Sequence, residues 1–122
     1  MIPQVSVNPA YELITHDVTE SIYKANPILL DKFGQRGKQK CKEDNLHHLR
    51  HLQTAFELKN SFVFIDYTNW LNNLLTNRGM ETIHIIDNFE RLETAIIGKL
   101  EQEIETAFIH YLQEAIHVLK AL

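Results

Sequence analysis

Apolar residues return every three or four positions along most of the chain, the spacing that gathers them on one face of an α-helix. The three prolines, Pro3, Pro9 and Pro27, fall in the first quarter, and no proline follows Lys38. The pattern predicts one all-α domain over residues 1–122, long enough to bury a core.

Local signals divide that pattern into elements. Asn8 suits a helix cap and Pro9 the first helical turn, while the residue before Pro27 disfavours helix, so a first helix is expected to end near Asn26. A short helical turn through Ile28, Leu29 and Leu30 and a loop over residues 33–37 follow. A long helix over residues 38–59 carries Leu46, Leu49, Leu52, Ala55 and Phe56 as its apolar stripe. Asn60-Ser61 breaks it, with Ser61 placed to cap a third helix bearing Phe62, Ile65, Trp70, Leu71, Leu74 and Leu75 and stopping at Gly79. From Glu81 the helical rhythm runs to the end, through Ile83, Ile86, Phe89, Leu92, Ile96, Leu100, Ile104, Phe108, Tyr111, Ala115 and Leu119. Gly98 is the only punctuation there, and two readings stand side by side: a helical hairpin turning at Gly98-Lys99, or one helix of ~40 residues, about 60 Å long, whose far half packs on a partner chain.

Composition narrows the function classes. Hydrophobic residues make up 44% and charged residues 23%, ordinary for a globular protein. With 12 Lys+Arg against 16 Asp+Glu the formal charge is -4, which disfavours nucleic acid as a partner. The lone cysteine excludes an internal disulfide. Met1-Ile2-Pro3-Gln4 lacks the basic-then-apolar pattern of a signal peptide, and no apolar run reaches the ~20 residues of a membrane span. The expectation is a cytoplasmic protein with no membrane insertion.

Candidate chemistry concentrates in residues 41–51, Cys-Lys-Glu-Asp-Asn-Leu-His-His-Leu-Arg-His. On a helix Cys41, Asp44 and His48 share a face, with His47 and Arg50 beside them. The surrounding segment is basic, with Lys32, Arg36, Lys38, Lys40 and Lys42. A metal set drawn from Cys41, His47, His48 and His51, a thiol nucleophile with a histidine base, and a structural cysteine beside solvated histidines are all compatible with these residue types. No second cysteine or HExxH pattern supports the metal set, and no cysteine-hydrolase pattern supports the nucleophile. Trp70, Phe62, Phe64 and Phe89 read as core residues, Asp66 and Tyr67 as pocket candidates, His110 and His117 as solvated, and residues 99–105 as an exposed helix face.

The same segment resembles the central helix of the phycobiliproteins, which reads Cys-x-Arg-Asp, a pair of bulky positions, then Leu-Arg. Cys41, Asp44, Leu49 and Arg50 stand at matching places, and the order of elements from Ile22 to Leu119 follows that family. Small bacterial globins associated with bilin biosynthesis are similar in this respect. The resemblance implies an all-α, globin-like (phycocyanin-like) domain lacking the N-terminal helical hairpin. It implies a linear tetrapyrrole (bilin) as cofactor, in a carrier, store or sensor rather than an enzyme. Cys41 would be the covalent tether, Asp44 the acceptor for pyrrole N–H groups, His47 and His48 the flanking pair, and Lys38, Lys40, Lys42 and Arg50 the propionate partners. Glu43 stands where the family carries arginine. Haem is the rival tetrapyrrole; residues 61–79 hold no histidine for it, leaving His84 or the histidines of residues 47–51. A homodimer and bilin-biosynthesis enzymes are the expected partners, and a chromophore-free globin-like dimeric regulatory module is the alternative function.

Overall fold

A computed structural model describes residues 8–122, and within them every regular element is a helix. The reading of Met1-Ile2-Pro3-Gln4 lies outside the described residues. Five helices follow in order: α1 (Pro9–Ala25), α2 (Ile28–Glu57), α3 (Phe62–Thr76), α4 (Thr82–Ile96) and α5 (Gln102–Lys120). α1 begins as the sequence predicts: Asn8 Oδ1 accepts from the Ala10 N–H at 3.0 Å, with Pro9 in the first turn. It ends at Ala25, where the Asn26 N–H returns to the Ile22 carbonyl and Pro27 can offer no donor.

α2 differs from the expectation. It starts directly after Pro27, and residues 33–37, expected as a loop, carry its helix onward through a kink. The kink is Gly34, at φ 64 and ψ -164, a backbone region open almost only to glycine. Of the two glycines that read as loop punctuation, Gly34 bends the helix and Gly37 continues it.

α3 also starts differently. Ser61 is already in helical conformation and its side chain caps nothing. Asn60, one residue earlier, does so, its Oδ1 accepting from the Phe62 N–H at 3.0 Å. At the far end of the chain the hairpin reading is correct and the single long helix does not form. Gly98 turns the backbone at φ +80, which side-chain-bearing residues rarely adopt, and α5 folds back on α4. The Gly98 N–H donates to Glu105 at 2.7 Å. Lys99, expected on an exposed face, donates to the Ala95 carbonyl at 2.7 Å and pairs with Asp17 of α1 at 2.9 Å.

α1 packs on α2 and α4, α5 on α4 and α3, and α2 touches both α3 and α5. One contiguous core fills the space between them, built on Phe64, Phe89, Phe108, Leu49, Leu52 and Leu92. Each such side chain contributes about 1.5–3 kcal/mol relative to exposure. Phe64 and Phe89 are core, as expected, whereas Trp70 (58% exposed) and Phe62 (67%) are not. Phe64, Thr68 and Leu71 take the inner face of α3, so Phe62, Asp66 and Trp70, spaced four apart, fall on the outer face. Ile83 is likewise exposed. Among the described residues no helix is long and apolar enough to cross a membrane.

Candidate functional site

The middle of α2 carries the candidate residues past three neighbouring helices. Cys41 is half-buried against α1. Asn45, one turn on, is fully buried, and its Nδ2 donates to the Cys41 carbonyl at 3.1 Å and approaches Cys41 Sγ at 3.8 Å. The Asn45 amide also exchanges hydrogen bonds with Asn88 of α4, at 3.2 and 2.7 Å. The buried Thr19 hydroxyl has no partner of regular hydrogen-bond geometry among the described residues; it lies against Cys41 and favours the thiolate. Burial outweighs it and pushes the Cys41 thiol pKa up, with the Asp44 carboxylate adding to the rise.

Asp44 is half-exposed and pairs with Lys40 at 3.2 Å. Its charge reaches Tyr67 of α3, whose phenol pKa is raised by burial first and by Asp44 second. Cys41 and Asp44 therefore stand one turn apart on α2, the thiol turned to α1 and the carboxylate to the edge facing α3.

His48 lies beneath that edge. It is buried, with Nδ1 2.6 Å from the Tyr67 hydroxyl and its ring edge-on to Phe89 at 5.3 Å. Burial, together with the neighbouring His47 and His51, pushes its pKa down to about 3, so it is neutral and Tyr67 donates to it. His51 stacks on Tyr67 with centroids 3.7 Å apart and 12° between planes, and its Nδ1 engages the His47 carbonyl at 2.8 Å. Trp70 continues the series, its centroid 6.0 Å from that of Tyr67. His47 itself is exposed.

The cations expected to meet propionates are largely engaged. Lys38 pairs with Glu20 at 2.8 Å, Lys40 with Asp44, and Lys42 with Glu12 at 2.9 Å. Arg50 is half-buried and makes no ion pair among the described residues. Two acidic residues of α1, Glu20 and Glu12, thus neutralise Lys38 and Lys42, and Lys40 is neutralised within α2 by Asp44.

Other candidates lie elsewhere. Among the described residues no three His, Cys, Asp or Glu side chains converge to hold a metal ion. His84 is exposed at the start of α4, where its Nδ1 accepts from the Glu81 N–H at 3.2 Å in a reciprocal cap. His110 and His117 border an open hollow of about 360 Å³ on α5, with His110 paired to Glu114 at 2.8 Å. A second open hollow, of about 420 Å³ between α1 and α4, is bordered by Asp17, Glu20, Ser21, Lys24 and Arg91. Neither is lined by Cys41 or Asp44.

Sequence reasoning missed Asn45, Asn88 and Thr19. Asn45 precedes the apolar stripe of α2 and reads as a surface amide in the sequence; only the packing of α4 shows it buried. Thr19 and Asn88 left no signal either, because their roles depend on how α1 and α4 cross α2. Compared with known proteins, the chain matches no family model, and no curated protein or solved structure is significantly similar to it.

Proposed function

We propose that this chain is a globin-like, non-catalytic binding module for a linear tetrapyrrole, held along α2 where Cys41 and Asp44 stand. The observation that carries the reading is that pair: a thiol and a carboxylate one helical turn apart, each partly exposed, with the carboxylate on the side of the ring series of His51, Tyr67 and Trp70. A bilin supplies a conjugated chain of four pyrroles with N–H donors, two propionates and a reactive alkene. The residues fit that chemistry. The Asp44 carboxylate accepts pyrrole N–H groups in charge-assisted hydrogen bonds. Arg50, without an ion-pair partner, takes a propionate. His47 is exposed beside Asp44, whereas His48 acts from below by fixing Tyr67.

Covalent attachment, where it occurs, is net addition of the Cys41 S–H across the alkene. Sulfur bonds one carbon, the proton ends on its neighbour, and nothing leaves. The raised thiol pKa makes this addition slow without a helper that deprotonates Cys41. Bilin-biosynthesis enzymes are the partners the reading implies.

A second reading, a chromophore-free dimeric regulatory module, draws on the exposed Ile28, Phe33, Leu58 and Phe62. Haem at His48 or His84 is less favoured, because the Nδ1 of each accepts a hydrogen bond, from Tyr67 and from the Glu81 N–H, so the ring proton sits on Nε2 and leaves it no lone pair for iron. Co-expression with a haem oxygenase separates these readings. A red-absorbing band that survives denaturation and is lost in Cys41→Ala supports covalent bilin binding. A colourless protein that also fails to bind free biliverdin overturns the proposal, and a Soret band on haem addition promotes the haem reading.

A further inference from the structure

Trp70 is the only tryptophan in the chain, and more than half of it faces solvent. It is not a stray surface residue on a mobile support. Its neighbour Tyr67 is buried and held by the 2.6 Å bond to His48. His51, stacked on Tyr67, is fixed through its Nδ1 to the His47 carbonyl. The indole is therefore the outer member of an aromatic series anchored to both α2 and α3. Asp44 borders the series on α2, and Asp66 lies one turn before Trp70 on the outer face of α3.

We infer that Trp70 is a stacking platform for the ring system of a planar, conjugated ligand rich in N–H donors. The inference rests on the tetrapyrrole reading and assigns to it a binding residue on a second helix. Two features favour such an occupant. The Tyr67 and His51 rings next to the indole are already held in place, so this part of the site loses little freedom on binding. The bordering carboxylates complement pyrrole N–H groups and a protonated chromophore, and they disfavour an acidic partner. A ligand bridging Asp44 and Trp70 spans α2 and α3 on the outside of the bundle, which leaves the His48–Tyr67–Phe89 packing intact.

The test is the dissociation constant for biliverdin, read by visible absorbance, for wild type, Trp70→Ala, Trp70→Phe and Phe62→Ala. Trp70→Ala is expected to weaken binding about tenfold, the order of one lost aromatic stacking contact. Trp70→Phe is expected to keep most of the affinity, and Phe62→Ala, two turns away on the same face, all of it. An unchanged melting temperature shows that the exposed substitution leaves the fold alone. If wild type and Trp70→Ala bind biliverdin equally, the platform is overturned while the tetrapyrrole reading stands. If wild type binds no biliverdin, both fall together.

Discussion

The Tyr67 hydroxyl sits 2.6 Å from Nδ1 of His48 and joins α3 to α2 inside the bundle. Because His48 is neutral, the phenol is the donor and the imidazole nitrogen the acceptor. Tyr67→Phe removes the donor and leaves a buried acceptor unpaired, which costs about 1–3 kcal/mol. The check is chemical denaturation at neutral pH, where a stability equal to wild type would contradict this geometry.

The same pair makes stability depend on acid. In the unfolded chain His48 binds a proton near its ordinary value of about 6.5. In the fold it resists protonation down to about 3, through burial first and the charges of His47 and His51 second. Between those values the unfolded state binds more protons, so stability is full above about 6.5 and falls as pH drops toward 3. The whole difference corresponds to roughly 4–5 kcal/mol for this one group. Denaturation midpoints followed from pH 7.5 to 4 are expected to fall steadily in wild type and more shallowly in His48→Gln.

Asn45 and Asn88 form a closed amide pair between α2 and α4, at 2.7 and 3.2 Å. Removing Asn88 strands the Asn45 Oδ1 in the interior at about 1–3 kcal/mol, whereas removing Asn45 leaves a half-buried Asn88 that water can reach. Asn45→Ala and Asn88→Ala are therefore expected to be strongly non-additive, the double variant losing less than the sum of the singles. A double-mutant cycle by urea denaturation measures the coupling, and strict additivity would count against the pair.

Cys41 reacts as its surroundings dictate. Burial raises its pKa, so modification by a small disulfide reagent is expected to be slow at neutral pH. The rate should keep rising past the ordinary thiol value of about 8.5. Thr19→Val removes the hydroxyl that favours the thiolate and is expected to move the profile further up. A midpoint at or below the ordinary value would contradict this account.

The kink in α2 marks the limit of what the sequence discloses. Helix periodicity, the cap at Asn8 and the left-handed stop at Gly79, at φ 91 just past the end of α3, were readable because they depend on neighbours along the chain. Gly34 was not, since glycine signals permissiveness and leaves the choice between loop and kink to the packing of α1 on α2. Gly98 was legible as a break, and its direction was settled only by α5 returning to α4. The site divides in the same way. Cys41 and Asp44 could be placed on one helix from spacing alone. The burial of His48, its bond to Tyr67 and the outward turn of Trp70 follow from how α2 and α3 cross, which no local pattern encodes. Gly34→Ala offers a direct check on the kink. Nothing crowds an added Cβ there, so a loss of about 1–3 kcal/mol would come from the backbone conformation alone.

The central claim is that Asp44 receives the pyrrole N–H groups of a linear tetrapyrrole. It is tested most directly by titrating wild type and Asp44→Asn with biliverdin and recording the long-wavelength absorption band. Wild type is expected to bind and to strengthen and red-shift that band, as a protonated, extended chromophore does, and Asp44→Asn to lose most of the change. The same spectrum from both proteins, or no spectral change with either, would contradict the account.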